Sequence, residues 1–313
     1  MIAGAMRWLF HVLHANDMPR GSAGCYQPAS LAAEGFVHAS YRDVALESAR
    51  LYFPAGADLR VLAIDPRRLD VPVDVASTPR GPMPHICGPI PMDAIRILTV
   101  DQVPGHADRV TGTKIGFCAF DGMTLLDLVG PLDALSRIAS MGFDPTTSCE
   151  VIALTRPEDD ASSTNALVWS GAGASLAAGR YRPSLEEFDV LVVPGGPSVR
   201  TLLRDDPSIA CYLAFFPPNR LLASVCTGAL LLGAAGRLAG RRATTHASAL
   251  DDLPSYGATV VRARVVDEGN IVTAAGVTAG IDLGLHLAKR LEGAEAASAI
   301  AQRIEFTPPR GER

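Results

Sequence analysis

The sequence predicts an α/β protein, a doubly wound and mostly parallel sheet of the flavodoxin-like kind preceded by a small α+β domain, and three observations predict it. From Lys114 onward, apolar strand-like runs alternate regularly with helix-like stretches, the pattern of a parallel sheet with helices on both faces. The run Leu221-Leu222-Ala223-Ser224-Val225-Cys226-Thr227-Gly228 passes at once into Ala229-Leu230-Leu231-Leu232-Gly233-Ala234-Ala235, so a buried strand ends at a cysteine on a strand-to-helix turn. Before this pattern, a polar stretch from Gln102 to Lys114 with Pro104 and Gly105 marks a boundary. The expected organisation is a domain over 1–103, a linker over 104–113, the larger domain over 114–306 and a tail over 307–313.

A chain of 313 residues has room for both domains, and 48% hydrophobic against 19% charged residues describes a globular protein with ample core. The net charge of -5 supplies no basic stripe, so nucleic acid is not the expected partner. Six cysteines (25, 87, 118, 149, 211 and 226) lie scattered without a CxxC pair, which argues for buried thiols in a reducing compartment over disulfides or a zinc site. The first residues, Met1 to Met6, have no basic n-region and no run of 18 apolar residues occurs, so a cytoplasmic protein without a membrane segment is expected. Lysine occurs only at 114 and 289, a mark of genome composition.

In the first domain, strands are expected over 7–14, Leu59–Asp65 and Ala94–Val100, with helices over Ala29–Gly35 and Tyr41–Phe53. Pro84-His85-Ile86-Cys87-Gly88-Pro89-Ile90-Pro91 reads as a rigid turn. His11, His38 and His85 each sit in or beside a strand or tight turn, where side chains can converge, and with Ser40 they form a candidate pocket. Phe10-His11, Tyr26-Gln27-Pro28-Ala29-Ser30-Leu31, Glu34-Gly35-Phe36-Val37-His38-Ala39-Ser40 and Pro84 to Pro89 resemble a small family catalogued as domain of unknown function 952. That family is regarded as a distant relative of the ADP-ribosyltransferase fold, which implies an NAD-like pocket. It usually has an aromatic residue where this chain has Cys87.

In the second domain, strands are expected at 114–120, 149–155, 188–193, 221–226, near 259–266 and at 270–275. Helices are expected from about 125 to 140 and over 199–216, 228–236, 246–255, 278–292 and 295–305. A cysteine at a helix N-terminus meets free N–H groups and the positive end of the helix dipole, both of which favour its thiolate. Asp127 places a lone carboxylate in the apolar stretch Leu125 to Pro131; if it faces Cys226 the two cannot both be charged, so the acid should stay protonated and the thiolate keep the charge. As an alternative, Asp127 is a helix N-cap. Gly195 and Gly196, after the strand ending Val192-Val193-Pro194, offer N–H groups for a developing negative charge, and Thr227 adds another N–H and a hydroxyl.

These residues resemble the DJ-1/PfpI superfamily, and within it the isonitrile (isocyanide) hydratase group. The matching runs are Lys114-Ile115-Gly116-Phe117, Leu126 to Pro131, Pro194-Gly195-Gly196, Ser224 to Gly228, Gly240 to His246 and Gly276 to Asp282. The resemblance implies a homodimer without metal or organic cofactor, with Cys226 as nucleophile, Asp127 as the paired acid and Thr227 as a third active-site residue. It further implies a hydro-lyase that hydrates a small apolar isocyanide to an N-substituted formamide through a thioimidate. Relatives with other activities carry a histidine directly after the cysteine and a facing glutamate, where this chain has Thr227 and Asp127. His246 is expected to be structural or at a subunit interface. A non-catalytic ligand or redox sensor built on Cys226 is the competing expectation, since an exposed low-pKa thiolate is also an oxidation target.

Overall fold

The computed structural model describes residues 7–19, 24–108, 110, 112–155 and 166–307. The reading of Met1 to Met6 and that of the tail beyond Thr307 lie outside the described residues. The chain divides into two compact units, Met1–Val110 and Thr111–Arg313.

The first unit is built on an antiparallel sheet in which Leu59–Ile64 lies between Leu9–His14 and Ile95–Thr99. Its alternation is the period of two expected of strands. Leu9, Leu13, Leu62 and Ile64 point into a core with Tyr26, Val37, Ile86 and Ile90, while Phe10, Val61 and Ala63 point into a second with Trp8, Ala45 and Val103. Both faces of this small sheet are therefore covered. A second sheet has the order Val37–His38, Gly81–Ile86, Val73–Thr78. The expected rigid turn from Pro84 is in part a strand: Pro82 and Pro84 sit inside Gly81–Ile86. The strand tolerates them because Val37–His38 pairs only with Ile86 and His85, leaving the proline side largely free of ladder bonds.

The second unit holds a seven-stranded sheet in the order Arg180–Tyr181, Ser148–Ala153, Lys114–Ala119, Val190–Val193, Leu221–Val225, Ile271–Ala274, Val265–Asp267. All neighbours are parallel except the last pair. Every residue of Val190–Val193 and Leu221–Val225 is buried, which is why these strands read as unbroken apolar runs. Helices Leu125–Ser140, Ala279–Glu292 and Ala294–Arg303 pack together, as do Val199–Asp205, Ser208–Ala214 and Gly228–Ala234.

Several elements of this unit differ from expectation: the strand near 259–266 is two separate strands, Thr259–Val260 beside Arg242–Ala243 and Val265–Asp267 at the edge of the large sheet, and the strand Arg180–Tyr181 was not expected. The helix over 199–216 is two helices, broken at Asp206-Pro207 because proline disfavours helical backbone in the residue before it. The stretch 246–255 is a 3-10 helix, Ala247–Tyr256, with Pro254 inside. A hairpin of Ala166–Trp169 and Ser175–Ala178 escaped the sequence reading, being too short for a clear periodicity.

Candidate active site

Cys226 lies between the strand Leu221–Val225 and the helix Gly228–Ala234, with φ of 58°, a left-handed backbone that costs a residue with a β-carbon about 1–2 kcal/mol. Surrounding bonds hold it there. Its N–H donates to the carbonyls of Ala274 at 3.0 Å and Ala275 at 2.9 Å, and its own carbonyl accepts from the Thr245 hydroxyl at 2.7 Å. Gly228 follows closely because any β-carbon there would strike the carbonyl oxygens of Val193 and Pro194. Cys226 is buried, with 5% of its surface exposed.

Asp127 sits in the first turn of the helix Leu125–Ser140, whose N-cap is Thr124, so its carboxylate caps nothing. The side chain is fully buried and faces the Cys226 thiol. Its Oδ2 accepts the Gly195 N–H at 3.2 Å, while Oδ1 completes no hydrogen bond of regular geometry, so the approach to sulfur leaves a lone pair available. Burial lifts the carboxyl to about 6, against smaller opposing effects of the Cys226 thiol, the Gly195 N–H and the charge of His246. Burial and then the charge of Asp127 push the thiol up to about 11, against the N–H groups of Thr227 and Val277. Burial and the facing acid thus push the thiol up where the helix end alone was expected to lower it, and Asp127 rises as expected, so the buried pair disfavours carrying two charges.

The glycine amides also differ from expectation. The Gly195 N–H is engaged by Asp127, and the Gly196 N–H donates to Thr227 Oγ1 at 2.9 Å. The Thr227 hydroxyl in turn donates to the Gly196 carbonyl at 3.0 Å, so it fastens the glycine loop and points no free O–H at the sulfur. Gly195 itself must lack a side chain, since a β-carbon would stand 2.5 Å from the Thr227 nitrogen and 2.9 Å from Cys226 Cβ. Around the sulfur it is the N–H groups of Thr227 and Val277 that favour its charged form. Val277 was missed by the sequence reading. Its φ of 42° places it at the turn between Ile271–Ala274 and Ala279–Glu292, and Gly276 beside it is the only sequence signal that could have marked this turn.

In the first unit, His11 Nδ1 lies 2.7 Å from the His38 carbonyl, which fixes the ring proton on that nitrogen and leaves Nε2 to accept from the Tyr26 hydroxyl at 3.1 Å. The His38 and His85 rings meet edge to face at 5.4 Å, Phe36 stacks on His85 at 3.9 Å, and His38 Nε2 is 2.9 Å from Glu34. These three histidines are neighbours. Ser40 is separate, buried with its hydroxyl 3.0 Å from that of Ser48. Among the described residues no group of three or more His, Cys, Asp or Glu side chains could hold a metal ion, and no helix is long and apolar enough to cross a membrane.

A thiol on a left-handed strand-to-helix turn, facing a buried carboxylate across the carboxyl ends of a doubly wound sheet, defines a class of cysteine-bearing α/β domains. The chain belongs to the DJ-1/PfpI family, whose pattern matches residues 113–290, and residues 14–98 match a protein family of unknown function, DUF952. Over 195 residues the chain is 35% identical to the isonitrile hydratase of Pseudomonas putida, covering 62% of this chain and 79% of that protein. It is also 35% identical to a deglycase of Thermococcus kodakarensis, but over 88 residues that cover 28% of this chain and 53% of the deglycase. Among solved structures, a THiJ/PfpI family protein from Pseudomonas syringae superposes with a TM-score of 0.54 at 31% identity, covering 64% of this chain and 78% of that one. The DJ-1 of Schizosaccharomyces pombe shares the fold, with a TM-score of 0.53 at 20% identity over 62% of this chain and all of that one.

Proposed function

We propose that the Thr111–Arg313 unit hydrates an isocyanide to an N-substituted formamide, with Cys226 as nucleophile and Asp127 as the group that moves its proton. The observation that carries this reading is the fully buried Asp127 carboxyl facing the Cys226 thiol, both pushed up by burial. Asp127 accepts the thiol proton as sulfur bonds to the terminal carbon of R–N≡C, then delivers it to that same carbon, giving the thioimidate R–N=CH–S. Asp127 next takes a proton from water as the water oxygen adds to this carbon and passes that proton to the nitrogen, giving R–NH–CH(OH)–S; the carboxylate then takes the remaining hydroxyl proton. Collapse of the adduct breaks the C–S bond, releases R–NH–CHO and returns the proton to sulfur. The Thr227 and Val277 N–H groups stabilise the sulfur whenever it carries charge. An uncharged substrate suits a site whose surroundings disfavour charge on both partners.

The similarity to the Pseudomonas putida isonitrile hydratase supports this over a deglycase role, as it spans the unit where the deglycase match spans part of it. On the same family resemblance the working unit is a cytoplasmic homodimer without metal or organic cofactor. Sedimentation as a monomer would remove the dimer from this reading. The test of activity is formamide production from cyclohexyl or aryl isocyanide: wild type is expected to turn over, Cys226→Ala to be inactive, and Asp127→Asn to lose at least about a hundredfold. Turnover by Cys226→Ala would overturn the mechanism. No turnover by any form, with a reactive thiol, would favour a sensor.

A further inference from the structure

The segment Thr244–His246 is tied to the thiol site at three successive residues. The Thr244 N–H donates to Thr273 Oγ1 at 2.9 Å, and the Thr245 hydroxyl donates to the Cys226 carbonyl at 2.7 Å. His246 lies against Gly276, where a β-carbon would stand 2.5 Å from the ring Cδ2 and 3.3 Å from Nε2. The ring is braced on its other side. Nδ1 accepts the Ser248 N–H at 3.2 Å and lies 2.8 Å from the Ser248 hydroxyl, capping the helix Ala247–Tyr256. A nitrogen that accepts a backbone N–H has no proton of its own, so the neutral ring carries its proton on Nε2. Gly276 is bonded to Val277, and a β-branched residue with φ of 42° stays there only if its surroundings hold it.

We propose that His246 is a positioning residue: its imidazole, braced by Ser248, holds Gly276 in place and so keeps the Val277 N–H aimed at the Cys226 sulfur. It acts through the backbone, stabilising charge on sulfur without touching substrate. The inference rests on the hydration reading for its role in turnover, but the device acts on the thiol and can be measured without an isocyanide.

The experiment is the rate of Cys226 alkylation by iodoacetamide at neutral pH, with Cys226→Ala as background for the other thiols and thermal melting as a check on folding. His246→Asn keeps an acceptor for the Ser248 N–H and removes the ring from Gly276. Alkylation is expected to slow about tenfold, the loss of one donor to a charged group, and kcat for isocyanide to fall with KM little changed. Gly276→Ala is expected to give a similar loss by pushing against the ring. The double variant should recover part of it, because the new methyl group takes the space the ring has left. Wild-type alkylation in His246→Asn, or a double variant no faster than Gly276→Ala, overturns the proposal. Should His246→Asn melt early, His246→Gln, alone and with Gly276→Ala, decides by the same comparison. Absent turnover in wild type with these alkylation effects intact would sink the hydration reading and leave the positioning role standing.

Discussion

Cys226 and Asp127 show how burial disfavours charge on two facing residues. Both are buried: burial lifts the carboxyl to about 6, and burial together with the charge of Asp127 lifts the thiol to about 11. If the carboxylate must receive the thiol proton, turnover depends on its ionised form, and a pH–rate profile should rise through an acid limb near 6. A limb left in place by Asp127→Asn, in whatever activity remains, would assign it to another group. The same shift affects stability. Asp127 holds its proton more tightly in the folded chain than at its ordinary value of 3.8, so stability is full below that value and is lost as pH rises through about 6. Asp127→Asn removes this cost, and melting at pH 7 should show the variant more stable by about 1–3 kcal/mol while catalytically impaired. A less stable variant would mean that the amide cannot reproduce the contacts of the acid. At Cys226 the backbone makes a parallel prediction: with φ at 58°, Cys226→Gly should be about 1 kcal/mol more stable than Cys226→Ala in equilibrium unfolding, since glycine adopts that conformation freely.

At the scale of elements, the site depends on three turns meeting where parallel strands end. The turn after Val190–Val193 touches the elbow so closely that Gly228 has no room for a side chain beside the carbonyl oxygens of Val193 and Pro194. Gly228→Ala is therefore expected to part the two turns, costing about 1–3 kcal/mol in unfolding measurements and most of the activity. Wild-type stability would show that the helix start can shift freely. This closeness also explains what the sequence could and could not reveal. The elbow was legible because a fully buried strand and an alanine- and leucine-rich helix flank Cys226 directly, and Asp127 stood out as a charge in an apolar run. The roles of the glycine amides and the Thr227 hydroxyl were not legible. Which acceptor engages an N–H depends on how turns distant in sequence meet, as Gly195 does with Asp127 and Gly196 with Thr227. Val277 was hidden for a related reason: a valine carries no sign that its backbone will be left-handed. The thiol was misjudged because helix-end effects can be read locally, whereas desolvation and the facing charge belong to the assembled core.

At the scale of the whole chain, the candidate active-site residues Asp127, Gly195, Gly196, Cys226, Thr227, His246 and Val277 fall in the Thr111–Arg313 unit. That unit contains a complete seven-stranded sheet with helices packed along it. The first unit has two hydrophobic clusters of its own, drawn from residues between Trp8 and Val110. The Schizosaccharomyces pombe DJ-1 shares the fold over its whole length, matched by 62% of this chain. A protein comprising residues 111–313 should therefore fold cooperatively and convert isocyanide with kcat/KM within about threefold of the full chain, a difference below 1 kcal/mol in the barrier. A well-folded fragment with a much larger loss would assign the first unit a part in catalysis. The place to look for that part would be the His11, His38 and His85 group, where one imidazole has its tautomer fixed and another is stacked on Phe36.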